Sequence, residues 1–286
     1  MEKERPIEYK VSALKTRVGN HPILQAFPQP GMDHANPFLL LHHLKIERQS
    51  GDHPLLYVPP HPHRGFCPVS LVFDGAVEHR DSLGNDEIID EGGVQWITAG
   101  KGIIHSEKEA LNENGKKYCN FQLIQLWINL REQDKLSDPS YLPLTKDQLP
   151  KVPFEGRKSK VKLISGNYKS IVGPERRTSD INIFTIESVK GEHLCFDLPH
   201  KHQVIVYQLE GVSRIGNEFV EPGDLVYFEP EKGKIKISIL ESGKILLLSA
   251  EQWKEKVVAH GPFVMNREIE IMEAIRDFET GQMGRM

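Results

Sequence analysis

From Phe66 to Leu130 the apolar positions come in short runs cut by turn signals. Val69-Ser70-Leu71-Val72-Phe73 is closed by Asp74-Gly75, and Ala76-Val77-Glu78-His79-Arg80 by Asp81-Ser82-Leu83-Gly84-Asn85. Glu91-Gly92-Gly93 precedes Val94-Gln95-Trp96-Ile97, Gly100-Lys101-Gly102 follows it, and Phe121 to Leu130 is a further apolar run. Turns at this interval predict an antiparallel β-sandwich or barrel. A second β-rich stretch runs from about Val161 to Ala250. Residues 7–20 and 37–46 also read as strands, with Gly31 and Pro37 as breaks.

The two β-rich halves rhyme. Each has a His-x-His pair (His61 and His63; His200 and His202), a strand, and an acidic-glycine turn (Asp74-Gly75; Glu210-Gly211). Each then has a glycine turn before another strand (Gly92-Gly93; Pro222-Gly223). This predicts a duplicated β-barrel unit in an all-β chain. The expected division is 1–135 for the first barrel, with a polar, proline-rich connector over 136–158. The second barrel and a terminal helix would take 159–286. For that helix, Asn266 is the expected cap and Glu268 and Glu270 suit its positive end. Ile271, Met272, Ile275 and Phe278 form the expected apolar stripe, and Gly281 stops the helix.

Composition narrows the class. A chain of 286 residues suits two domains, and 38% hydrophobic with 27% charged residues fits a globular protein. A formal charge of -4 argues against direct nucleic-acid binding, which needs a basic face. The charged start Met1-Glu2-Lys3-Glu4-Arg5 is not a secretory signal, and no apolar run is long enough to span a bilayer. Cys67, Cys119 and Cys195 are widely spaced and read as reduced thiols. The expected location is cytoplasmic.

The candidate chemistry is a metal site. On a strand, residues two apart share a face, so His61 pairs with His63 and His105 with Glu107. Two such strands could close three imidazoles and a carboxylate around one divalent transition metal, with room for substrate or oxygen. If the alternation runs on unbroken, Cys67, Val69, Leu71 and Phe73 face the same cavity as His61 and His63. Ile103 then shares the face of His105 and Glu107. With Phe66, these are the expected pocket residues. A single His-x-His is weak among 13 histidines, and the His-x-Glu after a glycine-rich turn strengthens it. His200 and His202 serve as a control: no such pair follows Pro222-Gly223, so they read as surface or loop residues. Adjacent His42 and His43 point to opposite faces and are not counted as ligands. Cys67 reads as a small buried hydrophobe rather than a soft ligand.

Three blocks carry a family resemblance: His61-Pro62-His63-Arg64-Gly65-Phe66, Val77 to Gly84 and Gln95 to Glu107. Together with Asn36 to Leu41 and Gly261 to Asn266, they resemble the pirin family of the cupin superfamily over nearly the whole chain. The resemblance implies two cupin barrels, with one metal in the first bound by His61, His63, His105 and Glu107. The implied metal is Fe(II), with Mn, Co, Ni, Cu or Zn as substitutes. Relatives typically carry Glu-Thr where this chain has Cys67-Pro68. That departure bears on pocket shape, and Pro68 suggests a strand edge or a bulge.

The implied activity is quercetinase-type: a metal-dependent dioxygenase that uses O2 on a flavonol-like or other enolic small molecule, with Glu107 also as general base. The alternative is a non-enzymatic, iron-containing redox sensor that binds a protein partner, as animal pirins resemble. A sugar isomerase would share the cupin fold but usually lacks this ligand set. The expected assembly is a monomer.

Overall fold

The computed structural model describes residues 3–30, 35–47, 56–175 and 180–286. Gly31 lies outside them. Over the described residues the chain is all-β with one α-helix, and it forms two compact units. Among the described residues, no helix is long and apolar enough to cross a membrane.

The unit that holds the candidate histidines contains residues 15–146 and 253–286. Its larger sheet has the order Ser140–Leu144, Val94–Thr98, Phe66–Asp74, Asn120–Asn129, Phe38–Glu47, His21–Phe27, Leu14–Val18. Its smaller sheet has the order Tyr57–His63, Ile103–Glu109, Ala76–Asp81, Asp86–Asp90. Val72, Val77, Ile89, Phe121 and Leu123, with Ile23, Leu44 and Ile46, fill the space between the sheets.

The other unit repeats this plan strand for strand. Its seven-stranded sheet runs Ile7–Ser12, Asp224–Phe228, His202–Glu210, Gly243–Glu251, Ile181–Ser188, Lys160–Ser165, Lys151–Val152. Its four-stranded sheet runs His193–Phe196, Ile235–Ile239, Ser213–Ile215, Glu218–Val220. The duplication read from the turn pattern is therefore present in the sheet order itself.

The linear division at 1–135, 136–158 and 159–286 needs correction at three places. Ile7–Ser12 pairs with Asp224–Phe228, so the first strand belongs to the second barrel's unit. Ser140–Leu144 pairs with Val94–Thr98, and Lys151–Val152 with Lys160–Ser165. The supposed connector is thus partly edge strand in each sheet. The terminal helix belongs to the first barrel's unit, where Ile271 and Ala274 are buried with Phe263, Met265 and Met283. Strand edges need backbone partners and an apolar helix face needs a surface. Neither requirement respects chain order.

The helix spans Glu268–Glu279, and Arg267 rather than Asn266 is its cap residue. The Glu270 carboxylate accepts the backbone N–H groups of Asn266 and Arg267, satisfying donors that a helix start leaves open. The Asn266 amide instead donates to the Lys256 carbonyl. Met272 and Phe278 are exposed; the buried face is Ile271, Ala274 and the partly buried Ile275.

Candidate metal centre

The His61/His63 strand and the Ile103–Glu109 strand are antiparallel neighbours, with His63 opposite Ile103 and His61 opposite His105. Burial alternates along the second strand: Ile103, His105, Glu107 and Glu109 are buried, while Ile104, Ser106 and Lys108 are less so. The shared face of Ile103, His105 and Glu107 is therefore the inner one.

Three imidazoles converge there. One nitrogen from each of His61, His63 and His105 lies within 4.8 Å of the others. The Nε2 atoms of His61 and His63 are 3.0 Å apart. Two nitrogens bound at about 2.1 Å to one ion and at right angles stand about 3.0 Å apart, so this spacing fits adjacent ligands. His61 Nδ1 lies 2.9 Å from the Pro59 carbonyl, which accepts its proton and leaves the Nε2 lone pair facing the cluster. His105 is fully buried, and neither of its ring nitrogens has a hydrogen-bond partner among the described residues. A buried imidazole without partners is costly, and a bound cation would remove that cost.

Burial lowers the pKa of His63 well below its usual value, and the neighbouring His61 lowers it further, against the Pro262 carbonyl. Burial does the same to His105, helped by His63, His61 and His79. Both rings are therefore neutral at pH 7, the form that ligates metals. His61 is only partly buried and marks the side open to solvent.

The fourth expected ligand is not brought into this group. Glu107 is buried, but its Oε1 accepts hydrogen bonds from Ser70 Oγ at 2.8 Å and from Gln95 Nε2. Ser70 sits on the strand that follows His63, with Gln95 paired opposite it. These two donors engage one carboxylate oxygen, and Glu107 is not among the residues that converge within 4.8 Å.

The expected pocket wall also changes. Arg64 and Gly65 separate the His61/His63 strand from Phe66–Asp74, and Gly65 has φ +85°. That turn breaks the alternation, so the inner face of the next strand is Phe66, Ser70 and Val72. The Phe66 ring lies 5.0 Å from His63, and Val72 lies in the interior cluster. Cys67, Val69 and Leu71 alternate with these residues and face the other side, Cys67 Sγ contacting Thr98 Oγ1 at 3.8 Å. Phe73 falls at a shift in register against Asn120–Asn129. Phe66 and Ile103 remain beside the site; Cys67, Val69, Leu71 and Phe73 do not line it by the expected alternation. Pro68 marks neither an edge nor a bulge. Its strand lies between two others, and pairing with the Val94–Thr98 strand begins only at Val69, where an N–H is next available.

Several site residues escaped the sequence reading. Trp127 packs edge-on to His63 at 5.5 Å and against Phe66 at 4.4 Å. His79 lies 5.4 Å from His105, stacks on Tyr141 at 4.2 Å, and places Nε2 3.0 Å from Asp81 Oδ2. Burial by itself would raise the Asp81 carboxyl, but hydrogen bonds from His79 and Asn85 overcome it and hold the group below its ordinary value. A signal for Ser70 and Gln95 did exist: each is a polar residue inside an otherwise apolar strand.

The turn at Arg64-Gly65 is held from three sides. Buried Lys135 donates to the carbonyls of Gly65 and Val264, at 2.8 and 3.0 Å, and to Asn129 Oδ1 at 2.6 Å. The Arg64 guanidinium donates to the Lys101 carbonyl at 2.6 Å and to Asp277 of the helix at 3.0 Å. A Cβ on Gly65 would stand 2.0 Å from the Val264 carbonyl oxygen, so only glycine fits this close approach. This contact joins the Gly261 to Asn266 segment to the end of the His61/His63 strand.

The second barrel supplies an internal control. By sheet position and register, the places of His61, His63, His105 and Glu107 are taken there by Leu194, Phe196, Ile237 and Ile239. Those of Ser70 and Gln95 are taken by Val206 and Val226. All six belong to one apolar cluster. His200 and His202 are not the counterparts of His61 and His63. His200 is exposed in the loop beyond that strand, and His202 opens the next strand, with Nδ1 3.0 Å from Ser249 Oγ. In the first barrel, His42 shares the parity of Leu44 and Ile46 and meets Gln25 Oε1 at 3.2 Å, while His43 meets Gln122. Neither joins the triad.

Two β-barrels of one plan, one with a polar histidine cluster inside and one filled with apolar side chains, define a bicupin. The family model named pirin matches residues 20–128, and that for the pirin C-terminal cupin domain matches 183–284. The chain is 31% identical to Pirin-like protein 2 of Arabidopsis thaliana, over 98% of this chain and 86% of that one. It is 29% identical to human pirin, over 92% and 88%. The crystal structure of quercetin 2,3-dioxygenase from Acinetobacter baumannii superposes with a TM-score of 0.89 at 30% identity, covering 98% of this chain and 99% of that one. The chain belongs to the pirin family.

Proposed function

We propose that the first-barrel site binds a divalent transition metal, Fe(II) foremost, and that the chain is a dioxygenase acting on a flavonol-like or other enolic small molecule. The observation that carries this reading is the convergence of the imidazoles of His61, His63 and His105, the last fully buried and unpartnered among the described residues. The apolar residues at the same positions of the second barrel support it, because a barrel of this plan needs no polar interior to fold. The name of the Acinetobacter structure supports the substrate class.

A bound divalent ion supplies Lewis acidity toward a deprotonated hydroxyl and a place for O2 beside it. His61, His63 and His105 would hold the ion, and Mn, Co, Ni, Cu or Zn could substitute in an imidazole set. Ser70 and Gln95 fix one oxygen of Glu107, leaving Oε2 to take the proton of the enolic hydroxyl. Phe66 and Trp127 give a flat aromatic wall beside His63 on which an aromatic substrate can stack.

The test is to load the protein with Fe(II), add quercetin without oxygen, then admit oxygen and follow its uptake and the flavonol absorbance. No consumption with any of these metals would sink the activity. Glu107→Gln is expected to keep its metal and lose ring opening by roughly 100- to 10,000-fold, as for loss of a general base. If Glu107→Gln instead lost its metal as completely as a histidine variant, the carboxylate would be a ligand. A Cys67-Pro68 change to the pocket would favour the regulatory alternative, since an altered pocket need not be catalytic. Cys67 faces away from the imidazoles, so that support is gone.

A further inference from the structure

The second barrel has a cavity of about 630 Å³ at the end where its His193–Phe196 strand stops and its Ile235–Ile239 strand starts. Lys3, Lys169, Lys232 and Lys234 line it, with His200 beside them and Asp197 as the one acidic side chain. The lining is thus strongly cationic on a chain whose formal charge is -4. Lys3 reaches Glu231 at 3.3 Å, but both are exposed and such a pair is weak.

The walls are built rather than loose. Behind them lies Arg5, buried, whose hydrogen bonds all go to backbone carbonyls: Leu198 at 2.6 Å, His202 at 3.0 Å, Pro199 at 3.1 Å and Gly233 at 3.4 Å. This guanidinium ties the loop carrying His200 to the loop carrying Lys232 and Lys234. The backbone finishes the lacing, Arg5 N–H donating to the Lys234 carbonyl and Lys234 N–H to that of Lys3, both at 3.0 Å. Lys169 has φ +54° and is the one non-glycine among the described residues with positive φ. A side chain held in that unfavourable region commonly marks a functional position. Its Nζ lies 5.5 Å over the ring of buried Tyr168.

We propose that this pocket binds a small polyanion, a molecule carrying two or more negative charges on phosphate or carboxylate oxygens. Fixed backbone presents several ammonium groups to one concave volume, an arrangement that concentrates anions and carries no attraction for a neutral or cationic ligand. The lining residues all belong to the second barrel's unit, and occupancy of the site does not depend on the metal reading.

The test titrates the full chain with inorganic pyrophosphate and, separately, citrate, at constant ionic strength of about 0.15 M. Calorimetry is expected to give saturable one-to-one binding, tighter than about 1 mM for at least one probe. Lys169→Glu with Lys234→Glu should weaken it about tenfold or more, and exposed Lys232→Gln by about two- to fivefold. Exposed Lys190→Glu, away from the pocket, should leave it unchanged. Pyrophosphate binding with citrate excluded would assign a phosphate ligand, and the reverse a carboxylate. Binding of neither probe, or equal weakening by Lys190→Glu, overturns the proposal. If the double variant does not fold, the Lys232→Gln and Lys190→Glu pair decides it.

Discussion

Replacing His105 with isoleucine is expected to strip the protein of metal and, at the same time, to stabilise the metal-free fold. His105 is fully buried with both ring nitrogens unpartnered among the described residues, and the matching register position of the second barrel is Ile237. Burying a polar group without a partner costs roughly 1–3 kcal/mol, and an aliphatic side chain of similar size removes that cost. The metal-free His105→Ile protein should therefore gain about 1 kcal/mol or more in urea unfolding. Its metal affinity should fall by more than about 100-fold, beyond the 10- to 100-fold typical of losing an outer hydrogen-bond partner. Elemental analysis after dialysis against Fe(II) checks the second effect. A variant less stable without metal, yet fully loaded when metal is supplied, would mean that His105 is a packing residue and the triad is not a binding site.

Lys135→Met should destabilise the protein by about 2–4 kcal/mol. Lys135 is 1% exposed, and its ammonium is the shared donor to Gly65, Val264 and Asn129. Methionine fills the space but orphans three buried acceptors, at about 1 kcal/mol each. Burial pushes the Lys135 pKa down from 10.5 to about 8, against the opposing pull of Glu255. The sign of the pH effect follows. Between about pH 8 and 10.5 the unfolded chain holds the Lys135 proton and the folded chain has released it. The unfolded state therefore binds more protons, and raising the pH favours folding. Relative to Lys135→Met, the unmodified protein should gain about 2 kcal/mol between pH 7 and pH 9.5. Urea unfolding of both proteins at the two pH values measures it. A constant difference would show that Lys135 keeps an ordinary pKa and is not held as the structure has it.

These two residues divide the architecture of the site. His105 faces the imidazole cluster, whereas Lys135 supports the turn on which the His61/His63 strand ends. The same turn is gripped by Arg64, which reaches Lys101 and Asp277, and its glycine is crossed by the Val264 backbone. A terminal segment more than 190 residues from His61 and His63 in sequence is thus part of the scaffold that aims them.

The sequence by itself determined the all-β class, the duplication, and the pairing of His61 with His63 and His105 with Glu107, because each depends on local alternation and turn chemistry. It also carried the resemblance to the pirin family in blocks contiguous along the chain. The tertiary structure alone decided which face each strand turned inward once a turn intervened. Gly65, at φ +85°, reset the alternation, so Ser70 rather than Cys67, Val69 or Leu71 faces the site, and Ser70 with Gln95 engages one oxygen of Glu107. It alone decided which strands of the second barrel answer to the histidine strands, replacing the apparent match at His200 and His202 by Leu194 and Phe196. It also returned the terminal helix to the first barrel's unit. Alternation is a property of neighbours in a strand. Register across a turn, and the placement of a distant segment, are set by backbone pairing and by apolar surface that must be covered, and neither is written at any single position.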